Sequence, residues 1–143
     1  MMRNLVFAVV GIITIGIIGC VSPTNSDLET EKQAINSAQS WLKLVDNGKY
    51  VDSWEETTEY FQSVVSKKQF KKDTSAIRNP LGKVITRKLI SVDARTSLPG
   101  VADGKYEIIK FNTSFKNKKS AIETVVLKQT KDNAWKVDGY FIK

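Results

Sequence analysis

The sequence predicts an α+β fold in which three N-terminal helices pack on one face of a curved, four-stranded antiparallel sheet. Three observations support this prediction. Apolar residues recur with a helical period up to about residue 78, they alternate with a period of two from residue 83 onward, and short polar turns separate the alternating segments. Strands joined by short turns pair antiparallel, so the order of elements is α-α-α-β-β-β-β.

The first helix is predicted over residues 29–47, because one apolar stripe runs along it. Gly48 is placed to end it, since glycine accepts the left-handed conformation that follows many helices. The residues of this stripe are Ala34, Ala38, Trp41, Leu42 and Val45.

The second helix is predicted from Tyr50 to about residue 65, and Thr57-Thr58 is the place where it can break. A capping-box pattern at residues 66–69 begins the third helix, which runs to about residue 78 and stops at Asn79-Pro80. The side chains expected to face the core from these two helices are Tyr50, Trp54, Phe61, Val64 or Val65, Phe70, Thr74 and Ile77.

Four strands are predicted over residues 84–96, 106–115, 120–130 and 135–142. Glycine- and asparagine-containing turns separate them. In the last strand, strict alternation places four residues on one side of the sheet, namely Trp135, Val137, Gly139 and Phe141.

The amino-terminal segment resembles a bacterial lipoprotein signal peptide. Arg3 precedes 14 residues, Leu5 to Ile18, of which only Thr14 is polar, and the run ends at the sole cysteine, Cys20. The resemblance implies cleavage before Cys20 and lipid on its thiol. It therefore divides the chain into a signal peptide (1–19), a lipidated tether (20–28) and a single α+β domain (29–143).

An uncleaved single-span anchor is the alternative, although the apolar run is shorter than the roughly 20 residues that a spanning helix needs. The single cysteine favours lipidation, because exported proteins that keep a cysteine usually pair it in a disulfide and this cysteine has no partner in the sequence. We expect an exported protein anchored to a bacterial membrane. In a Gram-negative cell, Val21 after the cysteine resembles the pattern of proteins sorted to the outer membrane, facing the periplasm.

Charge is distributed unevenly along the chain. Residues 27–59 hold eight acidic and three basic residues, whereas residues 60–143 hold seven acidic and eighteen basic ones. Such an excess attracts anionic lipid, anionic polymer or an acidic partner, and otherwise keeps a surface soluble. No nucleic-acid-binding motif is present, so a nucleic acid is not expected as a partner. The sequence does not specify the oligomeric state.

The mature region also resembles a known family from end to end. The residues that carry this resemblance form five groups: Trp41-Leu42-x-Leu44-Val45-Asp46-x-Gly48-x-Tyr50 with Ser53-Trp54; Arg78-Asn79-Pro80-Leu81-Gly82 with Arg87; Ser97-Leu98-Pro99-Gly100 with Asp103-Gly104-x-Tyr106; Phe111, Phe115 and Glu123-Thr124-Val125; and Trp135-x-Val137-x-Gly139-Tyr140-Phe141-Ile142.

This pattern is similar to the bacterial family known as domain of unknown function 4019, most of whose members look exported. Ala102 stands where the family tends to have proline, and Phe70 where it tends to have tryptophan. The resemblance implies no activity, since the family has none assigned. Its order of helices then sheet is similar to the cone-shaped nuclear-transport-factor-like or cystatin-like folds, which is an analogy of fold alone.

The available chemistry argues against a common hydrolase or metalloenzyme. The chain has no histidine, which removes the usual general base and the commonest metal ligand. Lipid on Cys20 would block its thiol. Glu55, Glu56 and Glu59 are interpreted as a solvated acidic helix face. We therefore predict no catalytic residue, no metal site and no cofactor, while enzymatic activity stays open.

The candidate site lies where a cone fold would have its cavity. Arg78 and Arg87 flank the corner between the last helix and the sheet, and Glu123 lies on the third strand, where it would be buried if it faces inward. A buried carboxylate needs a partner. These three residues therefore form either a structural ion pair or a charged pocket, and Glu107 on the neighbouring strand is expected to be a surface residue. The large side chains that would line a pocket are Trp54, Tyr60, Tyr106 and Tyr140.

Three functions are compatible with these features. The first is a non-catalytic, membrane-anchored envelope protein that binds a protein partner or a small ligand. The second is an electrostatic adaptor that binds anionic lipid or envelope polymer through a basic face. The third is a small-molecule-binding or cyclase/dehydratase-like enzyme of the cone fold.

Overall fold

The computed structural model describes residues 22–143, which form an α+β fold with four helices and one four-stranded antiparallel sheet. The predicted signal peptide and Cys20 lie outside the described residues. The helices are α1 (Asn25–Asp46), α2 (Tyr50–Glu55), α3 (Glu59–Val64) and α4 (Lys67–Leu81). The strands are β1 (Val84–Arg95), β2 (Tyr106–Phe115), β3 (Lys118–Gln129) and β4 (Trp135–Ile142), and they lie side by side in that order.

Helix α1 begins four residues before the predicted start at residue 29 because a capping box precedes it. The Thr24 hydroxyl accepts a hydrogen bond from the Asp27 amide (3.3 Å), and the Asp27 carboxylate accepts one from the Thr24 amide (3.1 Å). The five predicted stripe residues, from Ala34 to Val45, are all buried. Gly48, with φ of +70°, follows the helix as expected.

The predicted second helix is two helices, α2 and α3, so the expectation of three helices is wrong by one. Thr57 leaves the helical path and forms a parallel bridge with Val137 of β4. The Thr58 amide donates to the Val137 carbonyl (2.9 Å), and the Thr58 hydroxyl accepts from the Phe61 amide to begin α3 (3.1 Å). The break therefore lets the chain satisfy hydrogen-bonding groups of β4.

Helix α4 continues through Asn79-Pro80 and ends at Leu81, three residues later than predicted. The backbone amide and the side-chain amide of Asn117 donate to the Leu81 carbonyl (2.9 Å) and the Pro80 carbonyl (3.0 Å). These bonds satisfy carbonyls at the helix end. Ile77, predicted to be buried, is 53 % exposed, and the neighbouring Arg78 is buried instead.

The helices cover one face of the sheet, where α1 packs against β2, β3 and β4. Trp41 of α1 lies edge-on to Tyr140 of β4, with 5.1 Å between the ring centroids. Among residues 22–143, no helix combines the length and the apolar character needed to cross a membrane.

Strand β4 does not keep the strict alternation predicted from its sequence. The pairing of β3 with β4 shifts register between Val126 and Leu127, so that Val126 pairs with Gly139 and Leu127 with Val137. This extra residue in β4 turns Tyr140 toward the helices. Phe141, predicted to be on the inner side, is 41 % exposed.

Thr58→Ala is expected to destabilise the domain by about 1–2 kcal/mol, because it removes the N-cap of α3 and also a hydrogen bond from the Thr58 hydroxyl to the Asp138 carboxylate. Chemical denaturation monitored by circular dichroism measures the change. Ser66→Ala, which removes the cap of α4 alone, is the matched control. Equal losses in the free energy of unfolding for the two variants would show that the hydrogen bond between Thr58 and Asp138 does not add to the stability of the domain.

Candidate functional site

Glu123 of β3 lies at the centre of the candidate site and is fully buried. Its Oε1 accepts hydrogen bonds from Arg87 Nε (2.8 Å) and Thr113 Oγ1 (2.5 Å). Its Oε2 accepts from Tyr140 Oη (2.5 Å) and from Arg87 Nη2 (3.3 Å). Four hydrogen bonds from three strands therefore replace the water that this carboxylate loses on folding.

Arg87 of β1 joins Glu123 to a second carboxylate, that of Asp46 at the last residue of α1. Its Nη1 and Nη2 atoms donate to Asp46 Oδ2 (2.8 Å) and Oδ1 (2.9 Å). This two-pronged geometry uses the planar guanidinium fully, which lysine could not do. Arg87 thus ties the end of α1 to the sheet.

Arg78 of α4 completes the group from the helix side. Its side chain is 4 % exposed, and Nη2 donates to Asp46 Oδ1 at 2.7 Å. Nη1 lies 3.9 Å from Glu123 Oε2 and donates to Tyr140 Oη (3.4 Å). The guanidinium also sits over the Phe115 ring, 5.0 Å from its centroid.

We call these residues the ion cluster; its members are Asp46, Arg78, Arg87, Thr113, Glu123 and Tyr140. Its charged members are two arginines and two carboxylates, so their formal charges cancel. Every strand and the two longest helices contribute one member. The arrangement joins the helical layer to the sheet at one end of the domain.

The cluster perturbs the pKa values of its own members. Burial alone would raise the pKa of Asp46, but hydrogen bonds from Arg87 and Arg78 outweigh it and hold that pKa below its usual value. Burial, together with the nearby charge of Glu123, raises the pKa of the Tyr140 hydroxyl. Tyr140 therefore stays protonated and donates a hydrogen bond to Glu123.

The structure brings together four of the residues singled out from the sequence, namely Arg78, Arg87, Glu123 and Tyr140. Sequence reasoning missed Asp46. The available signal was its position next to Val45, at the edge of the apolar stripe of α1. From the sequence, Asp46 is expected to be an exposed residue at the end of the helix. Its carboxylate becomes partly buried only because Arg78 and Arg87 pack against it.

The other aromatic residues proposed as pocket lining lie elsewhere. Trp54 donates its indole N–H to the Val65 carbonyl (2.8 Å) and carries the Lys67 ammonium 5.1 Å from its ring centroid. Tyr60 is 47 % exposed on α3. Tyr106 is buried, but its hydroxyl donates to the Ala102 carbonyl in the β1–β2 connection (2.6 Å).

Two of the open clefts in the described part of the chain lie beside α1. The larger, about 450 Å³, lies between α1 and the start of β4 and is lined by Ser37, Ser40, Trp41 and Trp135, among others. The smaller, about 240 Å³, borders the ion cluster, because Asp46 and Arg78 contribute to its lining together with Tyr50 and Lys83, among others. Arg87, Glu123 and Tyr140 line neither cleft. Within residues 22–143, no group of acidic, histidine or cysteine side chains is arranged to hold a metal ion.

Glu107 is buried, with 7 % exposure, so the expectation that it is a surface residue is wrong. Its Oε2 has no hydrogen-bond partner among the described residues. Burial, followed by the carboxylates of Glu31 and Asp93, raises the pKa of Glu107. Unlike Glu123, this carboxylate has no arginine beside it, and its ionised form is unfavourable in the folded state.

The comparison with protein families identifies this chain at the level of a family. The family model described as "Protein of unknown function (DUF4019)" matches residues 37–140. The chain belongs to this family, as its sequence resemblance predicted. The match includes every residue of the ion cluster. No curated protein and no solved structure matches the chain significantly, so the analogy to cone-shaped folds stays a prediction.

Glu123→Gln is expected to destabilise the domain by about 3–5 kcal/mol, because it leaves the buried Arg78 and the partly buried Arg87 with one carboxylate between them. Glu29→Gln, on an exposed turn of α1, is expected to cost about 0–1 kcal/mol. Urea denaturation of both variants measures the difference. Equal costs would mean that the ion cluster does not hold the helices to the sheet.

Glu107→Gln is expected to stabilise the domain at neutral pH. The folded-state pKa of Glu107 is raised above its ordinary value of 4.5, so the folded protein holds a proton that the unfolded chain has released. Stability is therefore lost as pH rises from about 4.5 through the raised pKa, and the glutamine variant should lack this loss. Thermal unfolding of both proteins across that range provides the test, and parallel curves would refute the assignment.

Proposed function

We propose that this protein is a membrane-anchored envelope lipoprotein whose folded domain is a non-catalytic binding module. The observation that carries the proposal is the way the ion cluster is used. Both oxygens of Glu123 and both oxygens of Asp46 accept hydrogen bonds from groups of the same chain. A general acid or base needs a free position toward its substrate, whereas these groups fix one element to another.

The proposed anchor is lipid on Cys20, supported by the apolar run that precedes this cysteine. Four residues, 21–24, separate Cys20 from the start of α1 at Asn25. Fully extended, they span on the order of 13 Å at ~3.3 Å per residue. Bacterial lipoproteins carry two or three acyl chains, which is enough for stable attachment. An anchored domain would therefore keep the first turn of α1 close to the bilayer.

Binding of anionic lipid or polymer is the second candidate function. It is favoured by Lys88 of β1, Lys116 of the β2–β3 turn, and Lys118 and Lys119 at the start of β3. These lysines are exposed and form no ion pair within the described residues. An enzyme of the cone fold has less support, because the cluster residues expected in its cavity are engaged with one another.

Tyr140→Phe separates a binding module whose ion cluster is purely structural from one that binds its partner or ligand through the cluster. The variant keeps the ring against Trp41 but removes the hydroxyl that donates to Glu123. Chemical cross-linking of the full-length protein in intact cells, read by mass spectrometry, should give the same envelope partner for wild type and variant. Loss of that partner with an unchanged thermal midpoint would instead assign the cluster to ligand binding.

Lipidation predicts that the protein extracted from membranes begins at Cys20 and carries added acyl mass. Mass spectrometry of the intact protein measures both features. Cys20→Ser should leave the precursor uncleaved and without acyl mass, because the modified thiol is missing. An unprocessed Met1 terminus in the wild-type membrane fraction would contradict the proposal.

A further inference from the structure

The turn between β2 and β3 is fixed against the corner between α4 and β1. The Lys116 amide donates to the Lys83 carbonyl (2.8 Å), and the Asn117 amide donates to the Leu81 carbonyl (2.9 Å). The Asn117 side chain adds a bond to the Pro80 carbonyl (3.0 Å). Two segments that lie far apart in the sequence thus form one rigid end of the domain.

This end carries a group of exposed lysines that we call the basic pole. Its members are Lys83, Lys116, Lys118, Lys119 and Lys143. Lys143 joins the others because its backbone amide and carbonyl pair with those of Ile122 on β3 (3.0 and 2.9 Å).

The two segments that carry most of the basic pole contain no acidic side chain that could neutralise its lysines. Residues 79–88 and 112–122 contain no acidic residue. The nearby carboxylates, Asp46 and Glu123, are engaged by Arg78 and Arg87 in the ion cluster. No lysine of the pole forms an ion pair within residues 22–143. The pole therefore presents several unpaired ammonium groups to the solvent.

Helix α1 places the basic pole at the end of the domain opposite the proposed anchor. The first turns of α1 lie near the start of β2, where Glu31 is close enough to raise the pKa of Glu107. Its last residue, Asp46, binds Arg87, four residues from Lys83. The helix has 22 residues, which corresponds to about 33 Å at ~1.5 Å per residue.

We propose that the basic pole binds a polyanionic polymer of the cell envelope on the side of the domain that faces away from the anchoring bilayer. That the basic pole faces away from the bilayer rests on the proposed lipid anchor, whereas the binding of a polyanion by the pole does not. The headgroups of the anchoring bilayer are the less suitable partner, because the pole and the tether lie at opposite ends of α1.

The chemistry of the pole fits a repeating anion. Lysine ammonium groups are compact charges on flexible stems, so they tolerate phosphate or carboxylate groups at variable spacing. The two arginines that could grip a single anion with two prongs are committed to Asp46 and Glu123. Each lysine binds one anionic group weakly, so tight binding requires several lysines to act on several anionic groups at once. This favours a polymer over one small anion, and it makes binding sensitive to salt.

The test uses the full-length lipidated protein in zwitterionic vesicles, with fluorescent long-chain polyphosphate and polyglutamate as the probes. One variant carries Lys83→Gln, Lys118→Gln and Lys119→Gln. The matched control carries Lys68→Gln, Lys71→Gln and Lys72→Gln on α4, which removes the same charge from other exposed lysines. Circular dichroism and thermal midpoints of both variants should equal those of the wild type.

We expect the pole variant to bind both probes at least about tenfold more weakly, with the control close to wild type, since each lysine near an anionic surface contributes about a factor of five. Binding should also weaken as salt rises. Equal losses in the two variants, or no binding by the wild type, would overturn the proposal. Binding of both polymers by the pole variant as tightly as by the wild type would also overturn it. Failure of lipidation would appear separately, in the mass of the amino terminus.

Discussion

The burial of the Glu123 carboxylate is the constraint on which the rest of this structure depends. A carboxylate without contact to water is stable only when other groups satisfy it. Here Arg87 and Tyr140 come from the two outer strands and Thr113 from the central neighbour, so β1, β2 and β4 must all lie in register with β3. Arg87 also forms an ion pair with Asp46, and Asp46 forms a second ion pair with Arg78. The positions of α1 and α4 on the sheet follow from this chain of contacts.

The same cluster shapes the outer surface of the domain. Because Asp46 and Glu123 are used internally, the end of the sheet around the β2–β3 turn keeps its lysines without local acidic partners. The excess of basic residues in the second half of the sequence is therefore concentrated at one end of the domain. There the buried charges are paired with one another, and the exposed lysines are not. For this reason the two arginines stabilise the interior of the domain, whereas the nearby lysines remain on its surface.

Much of the fold could be predicted from periodicity, since α1 and β2 follow strong apolar patterns. The departures have local physical causes. Helices α2 and α3 separate because Thr57 and Thr58 bond to β4, which is remote in sequence. Glu107 has the same strand periodicity as Glu123, yet only Glu123 has arginines beside it. Sequence spacing predicts which face a side chain occupies but not which partner meets it there.

The sequence by itself determined the α+β class, the buried stripe of α1, the antiparallel order of the strands and the membership of a family of unknown function. It also placed Arg78, Arg87 and Glu123 as candidates for one site. Only the tertiary structure decided that Asp46 completes the cluster and that Tyr140, instead of Phe141, faces the helices. The reason is that a one-residue register shift in β4 reverses the faces of the residues that follow it, and such a shift depends on the neighbouring strand.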